Sequence, residues 1–158
     1  MPAVVYRLRG WEANSMNVAA ILKGKGRAVV TTRPDTSLQT VAEKLAAKKI
    51  GAIVIAAGDG RIAGIISERD IIRAIAAGGP NCLSRPVSEF MTRQIVTCRE
   101  SDTLDQLMAT MTALRFRHVP VVEDGALAGI ISIGDVVKHH IAEVEMEASA
   151  LRTYLCAG

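Results

Sequence analysis

Apolar residues recur along this chain first in a short unbroken run, then at helical spacing, then in two more runs, then at helical spacing again. The whole order occurs twice. In the first copy, residues 29–32 read as a strand closed by Arg33-Pro34. Leu38, Val41, Ala42 and Leu45 then stand at i, i+3, i+4 and i+7, one stripe of an α-helix, and Thr36 with Gln39 is placed to close its start as a capping box. Residues 50–56 and 62–66 are apolar runs of strand length around the turn signal Gly58-Asp59-Gly60, so they read as a hairpin. Ser67 opens another helix through Ile71, Ile72 and Ile75, ended by Gly78-Gly79-Pro80.

The second copy repeats each feature. Val87, Phe90 and Met91 make a helical turn and residues 95–97 a strand. Leu104, Leu107, Met108 and Met111 form the stripe, with Thr103 as the capping residue. Residues 119–122 and 127–131 flank the turn Glu123-Asp124-Gly125, and Ser132 opens a helix. The offset is 66 residues before the hairpin turn and 65 after it, one residue fewer in the second turn. Thr36 and Thr103 fall one position apart in that register, so only one of them fits.

A period this long, present twice, is a duplication and not a solenoid. Each copy reads strand, helix, strand, strand, helix. Such a unit leaves one sheet face bare, which predicts an α/β fold of two copies packed sheet to sheet with pseudo-two-fold symmetry. The expected divisions are an extension over 1–14, loose or docked on a neighbour, a first repeat over 15–80 and a second over 81–145. The end of a long last helix and its tail follow over 146–158. A short helical pattern through Val18, Ile21 and Leu22, broken at Gly24-Lys25-Gly26, precedes the first strand. The last helix continues through Val137, Ile141, Val144, Ala148, Leu151 and Leu155, as a cap on the module or an oligomer contact.

Composition narrows the function. Nearly half of the 158 residues are apolar but only 3% are aromatic, so the core is aliphatic. Nineteen basic against 16 acidic residues leave +3, dispersed without a basic run, which makes nucleic-acid binding unlikely as a function. Three widely spaced cysteines without Cys-x-x-Cys give neither a disulfide framework nor a zinc site. Arg7 and Arg9 are followed by no long apolar region, and every apolar run is far shorter than the roughly 20 residues of a membrane span. A soluble protein of the reducing cytoplasm is expected. No Gly-x-Gly-x-x-Gly, P-loop, His-Glu-x-x-His or nucleophile–base pattern supports enzyme chemistry, and His139-His140, being adjacent, do not suit a shared metal.

The candidate chemistry lies in the duplicated turns Gly64-Ile65-Ile66-Ser67-Glu68-Arg69-Asp70 and Gly129-Ile130-Ile131-Ser132-Ile133-Gly134-Asp135. These paired turns, Phe90-Met91-Thr92 leading into a strand, and Arg117-His118-Val119-Pro120-Val121 together resemble the CBS-domain pair, or Bateman module, over residues 15–145. The resemblance implies clefts between the copies that take adenosyl nucleotides: AMP, ADP, ATP, NAD(H) or S-adenosylmethionine. It also implies regulation of a protein partner without catalysis, and a disc-shaped homodimer.

On that reading Asp70 and Asp135 each offer two acceptor oxygens to the ribose diol. Their ordinary alternative is the Ser-x-x-Asp capping box. Ser67 and Ser132 sit at helix N-termini, where phosphate is favoured and where serine also simply caps. Arg69 adds charge in the first copy only. Arg115, Arg117 and His118 form the expected phosphate cluster, grouped with Asp135 as the stronger cleft. Thr92 and Ile95 are expected near Asp70, and Ala28 near Asp135. The rival function is a dimerisation module with empty clefts.

Overall fold

The computed structural model describes residues 4–7 and 16–156; Trp11 lies outside them. The first copy builds a three-stranded sheet. Strand β2 (Thr31–Thr32) runs parallel to β3 (Ala52–Ala56), which pairs antiparallel with β4 (Ile62–Ser67) from Ala52↔Ser67 onward. Helices α2 (Leu38–Lys48) and α3 (Glu68–Gly78) complete it. The second copy repeats the element order with β5 (Gln94–Thr97), α4 (Leu104–Leu114), β6 (His118–Glu123), β7 (Ala126–Ser132) and α5 (Ile133–Cys156). Strands β6 and β7 pair antiparallel, and the chain just after β5 meets β6 through the single parallel bridge Cys98↔Val121. Even the register shift recurs, at Ile55/Ala56 and at Val121/Val122. The shorter second turn is a two-residue loop, with Asp124 and Gly125 both at positive φ, the conformation that matches the twist of a hairpin.

Of the two alternatives for the opening extension, residues 4–7 take the docked one, and one expectation is corrected. β1 (Val4–Arg7) pairs in parallel with β5, Val4 opposite Gln94, on backbone groups that an edge strand leaves open. The cap of α2 is Ser37, whose hydroxyl accepts from the Thr40 amide at 3.2 Å, not Thr36. Thr36 is engaged elsewhere, its carbonyl accepting from Val87 N–H at 2.7 Å. Thr103 does cap α4, with Gln106 closing the box. Ser37 and Thr103 restore the 66-residue register.

The two cores explain why the copies form one unit. Leu38, Val41, Ile53, Ile55 and Ile66 of the first copy bury against Val87 and Met91, which precede the second copy's first strand. Conversely Leu104, Leu107, Val119, Val121 and Ile131 bury against Val18, Ile21 and Leu22 of α1 (Val18–Lys25). Each half thus lends its opening segment to the other. Backbone bonds fix the exchange: Leu38 N–H donates to the Arg85 carbonyl and Leu104 N–H to that of Met16, at 2.9 and 2.8 Å. The opening glycines of the two duplicated turns lie under these segments. A Cβ at Gly64 would fall 2.5 Å from Met91 Sδ, and one at Gly129 2.7 Å from Leu22 Cδ2.

Helices α2 and α4 both end on a non-glycine residue in the left-handed region, Lys49 at φ 53° and Arg115 at φ 57°. That conformation costs an L-residue roughly 1–2 kcal/mol, part of which glycine returns as entropy of the unfolded chain. Lys49→Gly is therefore expected to stabilise the protein by about 0.5–1 kcal/mol, read from urea unfolding at an unchanged m-value. A destabilised variant would show that the Lys49 side chain itself is needed.

Candidate functional site

Both duplicated turns close as reciprocal capping boxes at the starts of α3 and α5. Asp70 Oδ2 accepts from the Ser67 amide and hydroxyl, each at 2.8 Å, and the Asp70 amide donates back to Ser67 Oγ at 3.4 Å. Asp135 and Ser132 repeat this at 2.8, 2.8 and 3.2 Å. The next amide in each turn is also paired. Glu68 N–H donates to the Gly51 carbonyl at 3.0 Å and Ile133 N–H to that of Arg117 at 2.8 Å.

These bonds are the capping alternative in both turns. The serine hydroxyls give their protons to the aspartates, and most first-turn amides already have acceptors. Each aspartate has one oxygen engaged by the backbone, so neither opens both oxygens to a sugar. Asp70 Oδ1 accepts no hydrogen bond among the described residues, and Asp70 lines a cleft.

That cleft, about 790 Å³, lies between the halves. Its volume falls within the range of pockets that enclose small organic ligands. One wall is the start of α3, with Ser67, Asp70, Arg69 and Arg73; the other is the end of α4 and the start of β6, with Arg115, Arg117 and His118. Thr92 and Ile95 form its floor with Ile65. Thr92 is held there by a two-bond bridge to Ile65, its amide donating at 2.8 Å and its carbonyl accepting at 3.0 Å. Asp70, Thr92 and Ile95 thus line one cleft.

The basic cluster does not go where spacing suggested. Arg115, Arg117 and His118 line the cleft of Asp70, while His118, opposite Ser132 across the β6–β7 pair, is also within electrostatic reach of Asp135. The reason is the pairing of the halves: the second copy's α4–β6 junction faces the first copy's α3. His118 sits where the halves meet, its ring 3.1 Å from the position a Cβ would take on Gly51. Burial holds the imidazole below the usual histidine range, and Lys25 pushes it further in that direction. Four arginines and the His118 ring line this cleft with Glu68 and Asp70, and Lys25 and Asp135 also act on the imidazole.

Asp135 has a different environment. Lys25, at the end of α1, extends its ammonium onto Asp135 Oδ2 at 2.5 Å and onto the Ile130 carbonyl at 2.9 Å. Burial pushes the Asp135 carboxyl up, but the Lys25 ammonium and the Ser132 amide and hydroxyl outweigh it, so it titrates below the usual range. Ala28 is exposed and outside the Asp70 cleft; its segment reaches Asp135 through Lys25.

Sequence reasoning missed Lys25 and Arg73. Arg73 had a signal, one helical turn after Arg69. Lys25 had a fainter one: in the 66-residue register, Lys25-Gly26 stands where the second copy has Met91-Thr92. Among the described residues, no helix is long and apolar enough to cross a membrane, and no cluster of acidic, histidine and cysteine side chains is arranged to hold a metal.

Comparison with known proteins agrees with this geometry. The CBS domain family matches residues 26–77 and again 87–141. A crystal structure of a CBS-domain containing protein from Agrobacterium tumefaciens is 48% identical, covers 84% of this chain and 99% of its own, and superposes with a TM-score of 0.78. A CBS domain protein from Pyrobaculum aerophilum, solved in complex with AMP, is 30% identical with a TM-score of 0.67, covering 75% of this chain and 88% of its own. The mitochondrial CBS domain-containing protein CBSX3 of Arabidopsis thaliana is 30% identical over 152 residues, 91% of this chain and 74% of that protein. With its duplicated turns, exchanged segments and two successive matches, the chain belongs to the CBS-domain family, as a tandem pair.

Proposed function

We propose that this protein is a regulatory module that binds one adenosyl nucleotide per chain, in the cleft of Asp70. The observation that carries this reading is the cleft's division of chemistry. A carboxylate oxygen without a partner stands on one wall for a sugar hydroxyl, an apolar floor of Ile65 and Ile95 lies beneath, and Arg115, Arg117 and His118 line the opposite wall for phosphate. The AMP complex of the Pyrobaculum relative supports the ligand class. AMP, ADP, ATP and NAD(H) carry the phosphate that the arginines favour, whereas S-adenosylmethionine does not. The module is read as a cytoplasmic homodimer that senses its ligand and biases a protein partner, without chemistry of its own. A ligand can do so only through different affinities for two packings of the halves.

The second cleft is read as closed by Lys25, which answers the Asp135 carboxylate from within the chain. Titration calorimetry with AMP should therefore give one site per chain. Thermal denaturation should register the best ligand at about 100 times its Kd as roughly 2.7 kcal/mol of added stability. No shift with AMP, ADP, ATP, NADH or S-adenosylmethionine would favour the empty-cleft alternative.

His118 sets the pH dependence. The free protein holds it neutral, and a phosphate beside it favours the imidazolium. Affinity for AMP should thus rise severalfold from about pH 8 to about pH 6.5, with proton uptake visible as a buffer-dependent enthalpy. His118→Gln should remove the uptake; its persistence would exclude His118 from the site. For folding itself the sign is opposite. The folded value lies below the unfolded one, so the contribution of His118 is complete above the ordinary value of 6.5 and fades as pH falls through the folded value.

A further inference from the structure

Helix α5 carries a surface that the nucleotide reading does not use. Its inner face docks through buried Val136 and through Glu143, whose Oε1 accepts from the Met16 amide at 2.8 Å. From 144 to 156 every residue except Ala148 is exposed, so the helix runs about 20 Å beyond its last anchor. Along a different face, Val137, Ile141, Val144, Ala148, Leu151 and Leu155 alternate at spacings of four and three. Val144, Leu151 and Leu155 are 50, 63 and 75% exposed. This is the a/d spacing of a coiled coil, with Ile141, Ala148 and Leu155 in one row and Val137, Val144 and Leu151 in the other.

The flanking charges select the occupant. In a parallel pair, the residue before each a position faces the partner's residue five further on. Glu147 then meets Arg152 of the second copy, a favourable pair. In the antiparallel register that buries the whole stripe, Glu145 faces Glu145, Glu147 faces Glu147, and Lys138 faces Arg152. All three are like-charge contacts. The stripe is complementary to itself in one orientation.

We infer that the distal part of α5 joins two copies of this chain as a parallel two-stranded coiled coil. The inference rests on the homodimer reading above and is independent of the cleft. It also differs from a disc closed only by the modules, because the contact lies on the helix extension past residue 143.

The native cysteines allow a direct test on the full chain. Cys156 is exposed, whereas Cys82 and Cys98 are buried, and burial with the Asp102 charge pushes the Cys98 thiol up to about 12. A nitroxide on Cys156 should thus label one position. The parallel coil places the two labels within about 25 Å in double electron–electron resonance. The antiparallel register adds an axial offset of about 30 Å, from 20 residues at the helical rise. Sedimentation of the wild type should show a dimer. Leu151→Glu and Val144→Glu should each weaken it at least a hundredfold with an unchanged circular dichroism spectrum. A monomer at about 100 µM would overturn both the coil and the homodimer. A dimer with a longer label distance, or one indifferent to both substitutions, would overturn the coil alone.

Discussion

Replacing Asp70 with alanine is expected to weaken AMP binding roughly ten- to a hundredfold, about 1.4–2.8 kcal/mol, as befits hydrogen bonds to a charged acceptor. Asp135→Ala should leave binding within about threefold of wild type. The pair is informative because the two residues are structurally matched. Each closes a capping box with the serine three residues before it, so each substitution removes the same helix-start bonds at a cost of about 0.5–2 kcal/mol, and Asp135→Ala also releases Lys25. A binding loss that followed stability alone would appear in both variants. One confined to Asp70→Ala isolates the role of the second carboxylate oxygen. Equal losses would contradict the assignment of the ligand to this cleft, and a larger loss in Asp135→Ala would move it to the other.

The largest expected effect on stability comes from Leu22→Ala. Leu22 is 1% exposed, belongs to the opening helix of the first copy, and packs in the core of the second over Gly129. Truncating a buried leucine costs about 2–5 kcal/mol, the spread reflecting how far the site relaxes. For a chain of this size the midpoint of thermal unfolding should fall by roughly 5–15 °C. Because Leu22 joins one half's segment to the other's core, both halves should still unfold in a single transition. Two separate transitions in calorimetry would show that the exchanged segments do not couple the halves. A loss below about 1 kcal/mol would show that Leu22 is not held in that core.

The fold was legible because the chain states it twice. A register of 66 and 65 residues, confirmed by the capping pair Ser37 and Thr103, tied each stripe and apolar run to an equivalent, so an ambiguous segment in one copy was read from the other. Where a single copy had to be read alone, the reading was weaker: Thr36 is as good a capping residue by type as Ser37, and only the register or the backbone bond separates them. β1 escaped notice because four residues carry no period to recognise.

The site was legible in parts and not in assembly. Asp70, Thr92, Arg115, Arg117 and His118 were each singled out by residue type together with the resemblance to the CBS-domain pair, and all of them line one cleft. What spacing does not encode is which half faces which. His118 follows β5 and precedes Asp135 in the chain, yet it lies across from Asp70, because the two-fold packing turns the α4–β6 junction toward α3. The same limit hid Lys25. A lysine between two glycines reads as the end of a helix, and only the packing of α1 beneath β7 brings its ammonium to Asp135 and the Ile130 carbonyl.

The duplication therefore did not produce two equal sites. The first copy's turn meets Thr92 and a basic wall; the second copy's turn meets a lysine that neutralises its aspartate. Substituting Lys25 frees the Asp135 carboxylate in the second environment and, because Lys25 also holds the His118 imidazole down, relieves that effect in the first.

The central claim is that one nucleotide lies between the halves against Asp70, and a crystal structure with AMP tests it most directly. The account predicts electron density for a single nucleotide per chain, the ribose within hydrogen-bond distance of Asp70 Oδ1, the phosphate among Arg115, Arg117 and His118, and Lys25 still on Asp135. A nucleotide seated on Asp135 with Lys25 displaced, or only solvent beside Asp70 at a saturating concentration, would contradict it.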